Sequence, residues 1–358
     1  MRYFSLAASR KVLSFENYER RGPYGGHMRR RKFIKLIGGA AVAWPLAVVA
    51  QQPDRAPARR ISVLMNAAAD NLDAQVSIAA FLDVMQKLGW TDGRNLRIDT
   101  RWGAGNADII RKHAEELAAL TPDVILVTGN VAMAPMLQST RSVPIVFVGV
   151  ADPVGAGLVE SMARPGGNVT GFIQFEYSLS GKWLELLKEV APGLTRAAVL
   201  RDPTIAAGIG QFAVIQSVAP SLGVDVSPVN VRDASEIERA ITAFARLSNG
   251  GLIVTASALT VLHRDLIVTL AARLKLPAIY YRRYFVDGGG LICYGYDLVD
   301  HYRRAAGYVD RILRGEKPAD LPVQAPTRYE LAISLRTAKA LGLELSPTLL
   351  ARADVVIE

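Results

Sequence analysis

Two strings in the two halves of the chain end alike: DVILVTGN stops at Thr128-Gly129-Asn130, and GLIVTAS stops at Thr255-Ala256-Ser257. The hydroxyls of Thr128, Thr255 and Ser257 and the amide of Asn130 can donate and accept hydrogen bonds, while the small Gly129 and Ala256 leave backbone N–H groups open to approach. Such groups suit the carboxylate of a small zwitterion, or a neutral polar molecule. A polyphosphate would call for more lysine and arginine than these places hold. The alternative for Thr128 and Thr255 is that each only caps the helix that follows it. Asn66 and Asn71 in NAAADN are either further amide donors or turn formers. Asp152 in ADPV is either a counter-ion for a ligand ammonium or the start of an Asp-Pro turn. Arg201 could clamp a carboxylate bidentately, or pair with the adjacent Asp202 or another neighbour. YYRRYF at 280–285 sets Tyr281 and Tyr284 beside Arg282 and Arg283, which makes either an aromatic wall with a cation or a solvated loop.

The elements that must position these residues also repeat. Arg60-IleSerValLeuMet and Arg196-AlaAlaValLeu are short apolar runs, each followed by a helix-length segment ending in Leu-Gly, at Leu88-Gly89 and Leu222-Gly223. NLRID from Asn95 and VDVSPV from Val224 read as second strands. Asn106 to Leu120 and Asp233 to Leu247 carry apolar residues at helical spacing, as at Ile109, Ile110, Ala114, Leu117 and Ala118. The two strings quoted first are continuous aliphatic runs of the kind expected for strands buried on both faces. Each half then closes with proline and an apolar strand, Pro144-IleValPhe and Pro277-AlaIleTyrTyr. Two βαβαβ units in tandem are expected, each an open parallel sheet with helices on both faces. In such sheets a ligand lies in the crevice outside the carboxyl ends of the strands, where the candidate residues fall.

The first 60 residues have a different character. They hold 13 Lys+Arg against 3 Asp+Glu, leaving 29 against 30 for residues 61–358, so the net charge of +9 belongs to this part. No basic footprint remains on the folded part, and no nucleic-acid partner is expected. From Met28 a cationic stretch, Arg29 to Lys35, precedes an apolar run from Leu36 to Ala50, with Val48 and Ala50 before Gln51. That is the layout of an export signal, and the run of about 15 residues is too short for a spanning helix. Arg30-Arg31-Lys32-Phe33-Ile34-Lys35 is similar to the twin-arginine address; the alternative is an ordinary arginine-rich signal. Residues 1–27 are expected to be an upstream, disordered extension, 28–50 the signal, and 51–60 a linker, so that the mature chain is periplasmic and soluble.

Catalytic signatures are absent from the sequence: no Gly-x-Ser-x-Gly, no phosphate loop ending in Gly-Lys-Ser/Thr, no Gly-x-Gly-x-x-Gly after the first strand. His27, His113, His263 and His301 are scattered with no second ligand at metal spacing, and the last three read as surface or packing residues. The single cysteine, Cys293, is expected to be a buried thiol. No enzyme, cofactor or metal is expected.

VPIVFVGVADPVGAGLV, RPGGNVTGF at 164–172, RILRGEKPADLPV and SLRTAKALGLELSPTLLARADVVIE together resemble the substrate-binding proteins of an uncharacterised, tryptophan/tyrosine-type class of bacterial ABC importers, over residues 59–358. The resemblance implies an α/β protein with the type I periplasmic-binding fold, two Rossmann-like lobes with a ligand cleft between them. It also implies a small-molecule ligand and a permease in the inner membrane as partner. Some members bind aromatic amino acids, and Tyr281 and Tyr284 agree with a ligand of that kind. Relatives often carry an Asn-Pro turn where this chain has Arg201-Asp202-Pro203. Three crossings between lobes are expected, at Arg164–Phe172, Gly288–Tyr294 and Leu321–Pro326. They give a first lobe of 61–168 plus 297–320 and a second of 169–296 plus 321–358; two lobes in simple series is the alternative. The expected function is capture of a solute, with an amino acid preferred, and delivery to the importer by a monomer. The alternative is a ligand-sensing or regulatory two-lobe protein without a transport role. A nucleotide-dependent enzyme is disfavoured by the missing glycine fingerprint.

Overall fold

The computed structural model describes residues 58–358. The expected extension, signal segment and most of the linker lie outside the described residues; the last two linker positions, Arg59 and Arg60, already belong to the first strand.

Five strands form the first sheet: β1 (Arg59–Met65), β2 (Leu96–Trp102), β3 (Val124–Thr128), β4 (Ile145–Val150) and β5 (Val169–Ile173). Their order is β2-β1-β3-β4-β5, and every pairing is parallel. The second sheet holds β6 (Arg196–Arg201), β7 (Asp225–Asn230), β8 (Gly250–Val254), β9 (Ala278–Tyr280), β10 (Ile292–Tyr296), β11 (Tyr329–Ser334) and β12 (Val355–Ile357). It runs β12-β11-β10-β9-β8-β6-β7, and only β10 and β11 pair antiparallel. The continuous aliphatic runs take inner places: β3 and β8 are buried nearly throughout, because helices cover both faces. DVSPVN is the exposed edge strand β7, a position where the missing N–H of Pro228 costs least.

Helix Leu72–Lys87 starts at Asn71, whose side chain accepts the Ala74 N–H at 2.9 Å, and buries Ala74, Ser77, Phe81 and Met85 at helical spacing. On the other face of the first sheet, helices Ala107–Ala119 and Asn130–Ser139 bury Ile110, Ala114, Leu117, Ala132, Met133 and Met136. Helix Leu298–Leu313 follows β10 of the second sheet yet packs on the first, with Tyr302, Ala305, Ala306 and Val309 buried beside Phe81 and Met85.

The first and third crossings fall later than the expected lobe bounds at 168 and 320, whereas the second keeps the expected bound at 296. Val169–Ile173 pairs with β4 from Ile145↔Val169 onward, so it belongs to the first sheet and not to the second lobe. Gly171 permits this: a Cβ there would collide with the Phe147 carbonyl oxygen, so only glycine lets β5 lie against β4. The first crossing is therefore at Gln174–Phe175, after the Arg164–Asn168 turn and the whole of β5. Gly288–Tyr294 does not cross either; it leads into β10, which pairs with β9, and the chain leaves the second sheet after Tyr296. Leu321 and Val323 pack in the first lobe's cores and Gln324 bridges to Phe172, so the third crossing lies beyond Ala325. The carboxyl ends of β1 and β3, at Met65 and Thr128, and of β9, just before Tyr281, border the space between the two sheets. Among the described residues no helix is long and apolar enough to cross a membrane.

Candidate functional site

Between the lobes lies a cavity of ≈ 200 Å³. The first lobe supplies Met65, Ala67, Asn71, Asp73 and Thr128, and helix Leu298–Leu313 adds Leu298 and Tyr302. The second lobe supplies Val261, Arg264, Tyr281, Arg282 and Tyr284, with Gln174 at the first crossing. A wider groove of ≈ 720 Å³ adjoins it, sharing Asp73, Arg282, Tyr284 and Leu298.

Of the residues singled out from sequence, Thr128, Asn71, Tyr281 and Tyr284 meet at this cavity. The Thr128 hydroxyl lies 2.7 Å from the Tyr302 hydroxyl and does not cap its helix; the cap position is Gly129, at φ 78° with no side chain to offer. The N–H of Gly129 is taken by the Val148 carbonyl at 2.9 Å. Asn71 is the cap already described. Tyr281 and Tyr284 share a hydrogen bond at 2.7 Å with their rings edge to face, and burial pushes the Tyr281 phenol up to about 12.

Of the other candidates, all but Asn66 are committed elsewhere. Asn130 spends both ends of its amide on Ala151, donating to the carbonyl at 2.9 Å and accepting the N–H at 2.8 Å. Asp152, at φ 45°, accepts the Gly155 N–H at 2.9 Å, as an Asp-Pro turn start does. Asn66 sits beside Gly129 with its Oδ1 buried and without a partner among the described residues. Arg201 donates to Asn230 Oδ1 at 2.8 Å and lies 4.9 Å over the Phe212 ring, so it pairs with neither a cavity group nor Asp202. Asp202 accepts from the N–H and hydroxyl of Thr204, at 2.9 and 2.6 Å. Thr255 is wholly buried, its hydroxyl donating to the Leu200 carbonyl at 2.8 Å. The Ala256 N–H goes to Gln211 Oε1 at 3.2 Å, and Ser257 caps the helix Ala258–Leu262 through Thr260. The second lobe thus closes its β8 end with internal bonds and meets the cavity from the end of β9 instead.

The model of the family described as "ABC transporter substrate binding protein" matches residues 60–357. The chain belongs to that family. A curated relative, the "Tyrosine-binding protein" of Clostridioides difficile (strain R20291), is 26% identical over 264 residues, 74% of this chain and 76% of that one. Among solved structures, a Streptococcus pneumonia ABC domain in complex with L-Trp superposes with a TM-score of 0.76 at 22% identity, covering 84% of this chain and 100% of the other. The ligand-free, open form of a Clostridium difficile substrate binding protein with adhesive properties gives 0.68 at 23% identity, covering 84% and 99%. These structures share the two-lobed type I periplasmic-binding fold.

In this substrate-binding protein the sequence reading missed Asp73, Arg264, Tyr302 and Gln174 as cavity residues, and it named Arg282 only as part of a basic pair. The two arginines of YYRRYF part company. Arg283 turns outward to Asp287 and Glu330, at 3.3 and 3.1 Å, while Arg282 turns inward and donates to the Tyr296 hydroxyl at 2.6 Å. Arg282 has aromatic neighbours, with Tyr296 and Tyr284 rings 4.8 and 5.3 Å away, and no carboxylate pairs with it among the described residues. A half-buried guanidinium without an anion is a place where a ligand carboxylate gains most. Asp73 stands in the first turn of its helix, its main-chain carbonyl accepting from the Ser77 hydroxyl at 2.7 Å while its carboxylate has no hydrogen-bond partner among the described residues, and it borders the same cavity. The alternation of adjacent side chains in YYRRYF was the available signal for Arg282. Asp73 looked like an ordinary first-turn acid stabilising a helix N-terminus. Among the described residues no group of three or more His, Cys, Asp or Glu could hold a metal ion.

Proposed function

We propose that the protein is an exported receptor that binds an amino acid with an aromatic side chain and hands it to the permease of an ABC importer, without chemistry of its own. The observation that carries this reading is the inward guanidinium of Arg282, unpaired by any carboxylate among the described residues, in a cavity walled by Tyr281, Tyr284 and Tyr302. The ligand carboxylate sits on Arg282, with Arg264 as second donor. Asp73 across the cleft takes the ammonium. The side chain packs among Tyr281, Tyr284, Val261 and Met65, where ring stacking adds about 0.5–1.5 kcal/mol to burial. The names of a tyrosine-binding relative and of a structural neighbour holding L-Trp support the same ligand class. Export through the Met28–Ala50 segment, a periplasmic location and a monomeric state complete the proposal, and contacts from both lobes favour a closed form when ligand is bound.

A thermal-shift screen tests it. L-Tyrosine or L-tryptophan at about 100 times its dissociation constant should stabilise the mature protein by roughly 2.7 kcal/mol, while L-glutamate and glucose should not. Stabilisation by glucose and by neither aromatic amino acid would sink the proposal.

A further inference from the structure

A ladder of rings and guanidinium groups runs through the hinge. Arg304 lies 5.0 Å over the Phe172 ring, and Phe172 is 6.0 Å from His301. His301 stacks on Tyr296 at 4.9 Å with 25° between planes, and Arg282 lies 4.8 Å from the centre of that last ring, donating to its hydroxyl at 2.6 Å. Each rung marks a crossing. Phe172 lies in β5 just before the first, Tyr296 ends β10 at the second, and His301 opens the helix beyond it. Arg304 holds the third, donating to the Ala325 carbonyl, the Thr327 hydroxyl and Gln324 Oε1, each at 3.2 Å. One stack therefore touches all three connections between the lobes and ends on the cavity's arginine.

The middle rung is chemically odd. His301 is 1% exposed, and neither ring nitrogen has a partner among the described residues. Burial, and then the charges of Arg304 and Arg282, push its pKa down to about 3, so the ring is neutral. An orphaned buried polar group costs roughly 1–3 kcal/mol, so hydrogen bonding is not what holds this side chain in place. Its flat face is, pressed between Phe172 and Tyr296 where aromatic contact adds about 0.5–1.5 kcal/mol.

We infer that His301 is a positioning residue: by bridging Phe172 to Tyr296 it sets the angle of the hinge and, through Tyr296, the direction in which Arg282 faces the cavity. The second half of this statement rests on the reading of Arg282 as the ligand's anchor; the first does not.

The test uses spin labels at Lys87→Cys and Glu238→Cys, exposed helix positions in the first and second lobes, with Cys293 buried and out of reach of the label. Without ligand, His301→Phe, which keeps a flat ring, should give the parent's distance distribution. His301→Ala should give one roughly twofold wider. If that variant folds poorly, His301→Leu, which fills the space without a flat ring, takes its place with the same expectation. A distribution as narrow as the parent's in these variants overturns the inference. Titration with L-tyrosine should be about tenfold weaker for His301→Ala and within about threefold for His301→Phe. Equal affinity in His301→Ala and the parent overturns the link to Arg282. Unchanged tyrosine affinity in Arg282→Gln would instead sink the anchor reading, and the ligand-free distances would still decide the hinge role.

Discussion

The ends of β3 and β8 begin from nearly the same letters and come to opposite uses. Thr128 closes β3 half-buried, its hydroxyl on Tyr302 at the cavity wall. Thr255 follows β8 wholly buried, its hydroxyl on the Leu200 carbonyl within its own sheet. The repeat fixes where a strand stops; what packs around that stop decides which way its side chain faces. At β3 the neighbour is helix Leu298–Leu313, brought in from far along the chain, whose Tyr302 meets the threonine at the cleft. At β8 the neighbours are local, Ser257 and Thr260, and they seal the strand end.

The largest expected effect separates two arginines, one at each kind of place. Arg282→Gln should weaken L-tyrosine binding by about a hundredfold or more, since removing one member of a desolvated charge pair costs roughly 2–5 kcal/mol. Arg201→Gln, whose parent residue is held by Asn230 and Phe212, should stay within about twofold. Isothermal titration of both variants gives the contrast directly; equal losses would erase the distinction between the two strand ends.

A pH series sharpens the long-range side of the comparison. His301 has a folded pKa depressed to about 3 from 6.5, so the unfolded chain binds the proton more readily between those values. Stability present above pH 6.5 is therefore lost as pH falls below it, at about 1.4 kcal/mol per unit at most, and the loss ends below pH 3. His301→Phe should remove this component, with chemical denaturation at pH 7 and pH 5 showing a smaller difference than the parent. A parent and variant that lose stability equally would mean that His301 is charged or solvated.

Much of the fold was legible because its signals are local. Continuous aliphatic runs, helical spacing at Ile110, Ala114 and Leu117, and Leu-Gly ends all follow from short stretches of backbone and side-chain geometry. The crossings were not, because β5 and β10 look like connectors until their partners are known; Gly171 allows β5 to lie on β4 only in view of Phe147, a contact invisible in VTGF. The site was half legible. Tyr281 and Tyr284 announced themselves as an aromatic cluster, but the availability of a polar group depends on its partners. Asn130 is bound to Ala151, Arg201 to Asn230 and Asp202 to Thr204, whereas Arg282 has no carboxylate partner among the described residues; none of this is a property of the residue type.

The smallest effect compares the two threonines themselves. Thr255→Val should cost about 1 kcal/mol of stability and leave tyrosine affinity unchanged, because its hydroxyl serves only the sheet. Thr128→Val should weaken tyrosine binding a few-fold, about 0.5–1 kcal/mol, by freeing Tyr302 at the cavity wall. Denaturant melts beside titrations check both, and a reversal of the two outcomes would mean that β8, not β3, faces the ligand.

The most direct test is a crystal structure of the mature protein with L-tyrosine. The ligand carboxylate should lie within hydrogen-bond distance, about 3 Å, of the Arg282 guanidinium, with its ammonium toward Asp73 and its ring among Tyr281, Tyr284 and Val261. A carboxylate seated instead on Arg201, or on the hydroxyls and N–H groups of Thr255, Ala256 and Ser257, would contradict the account.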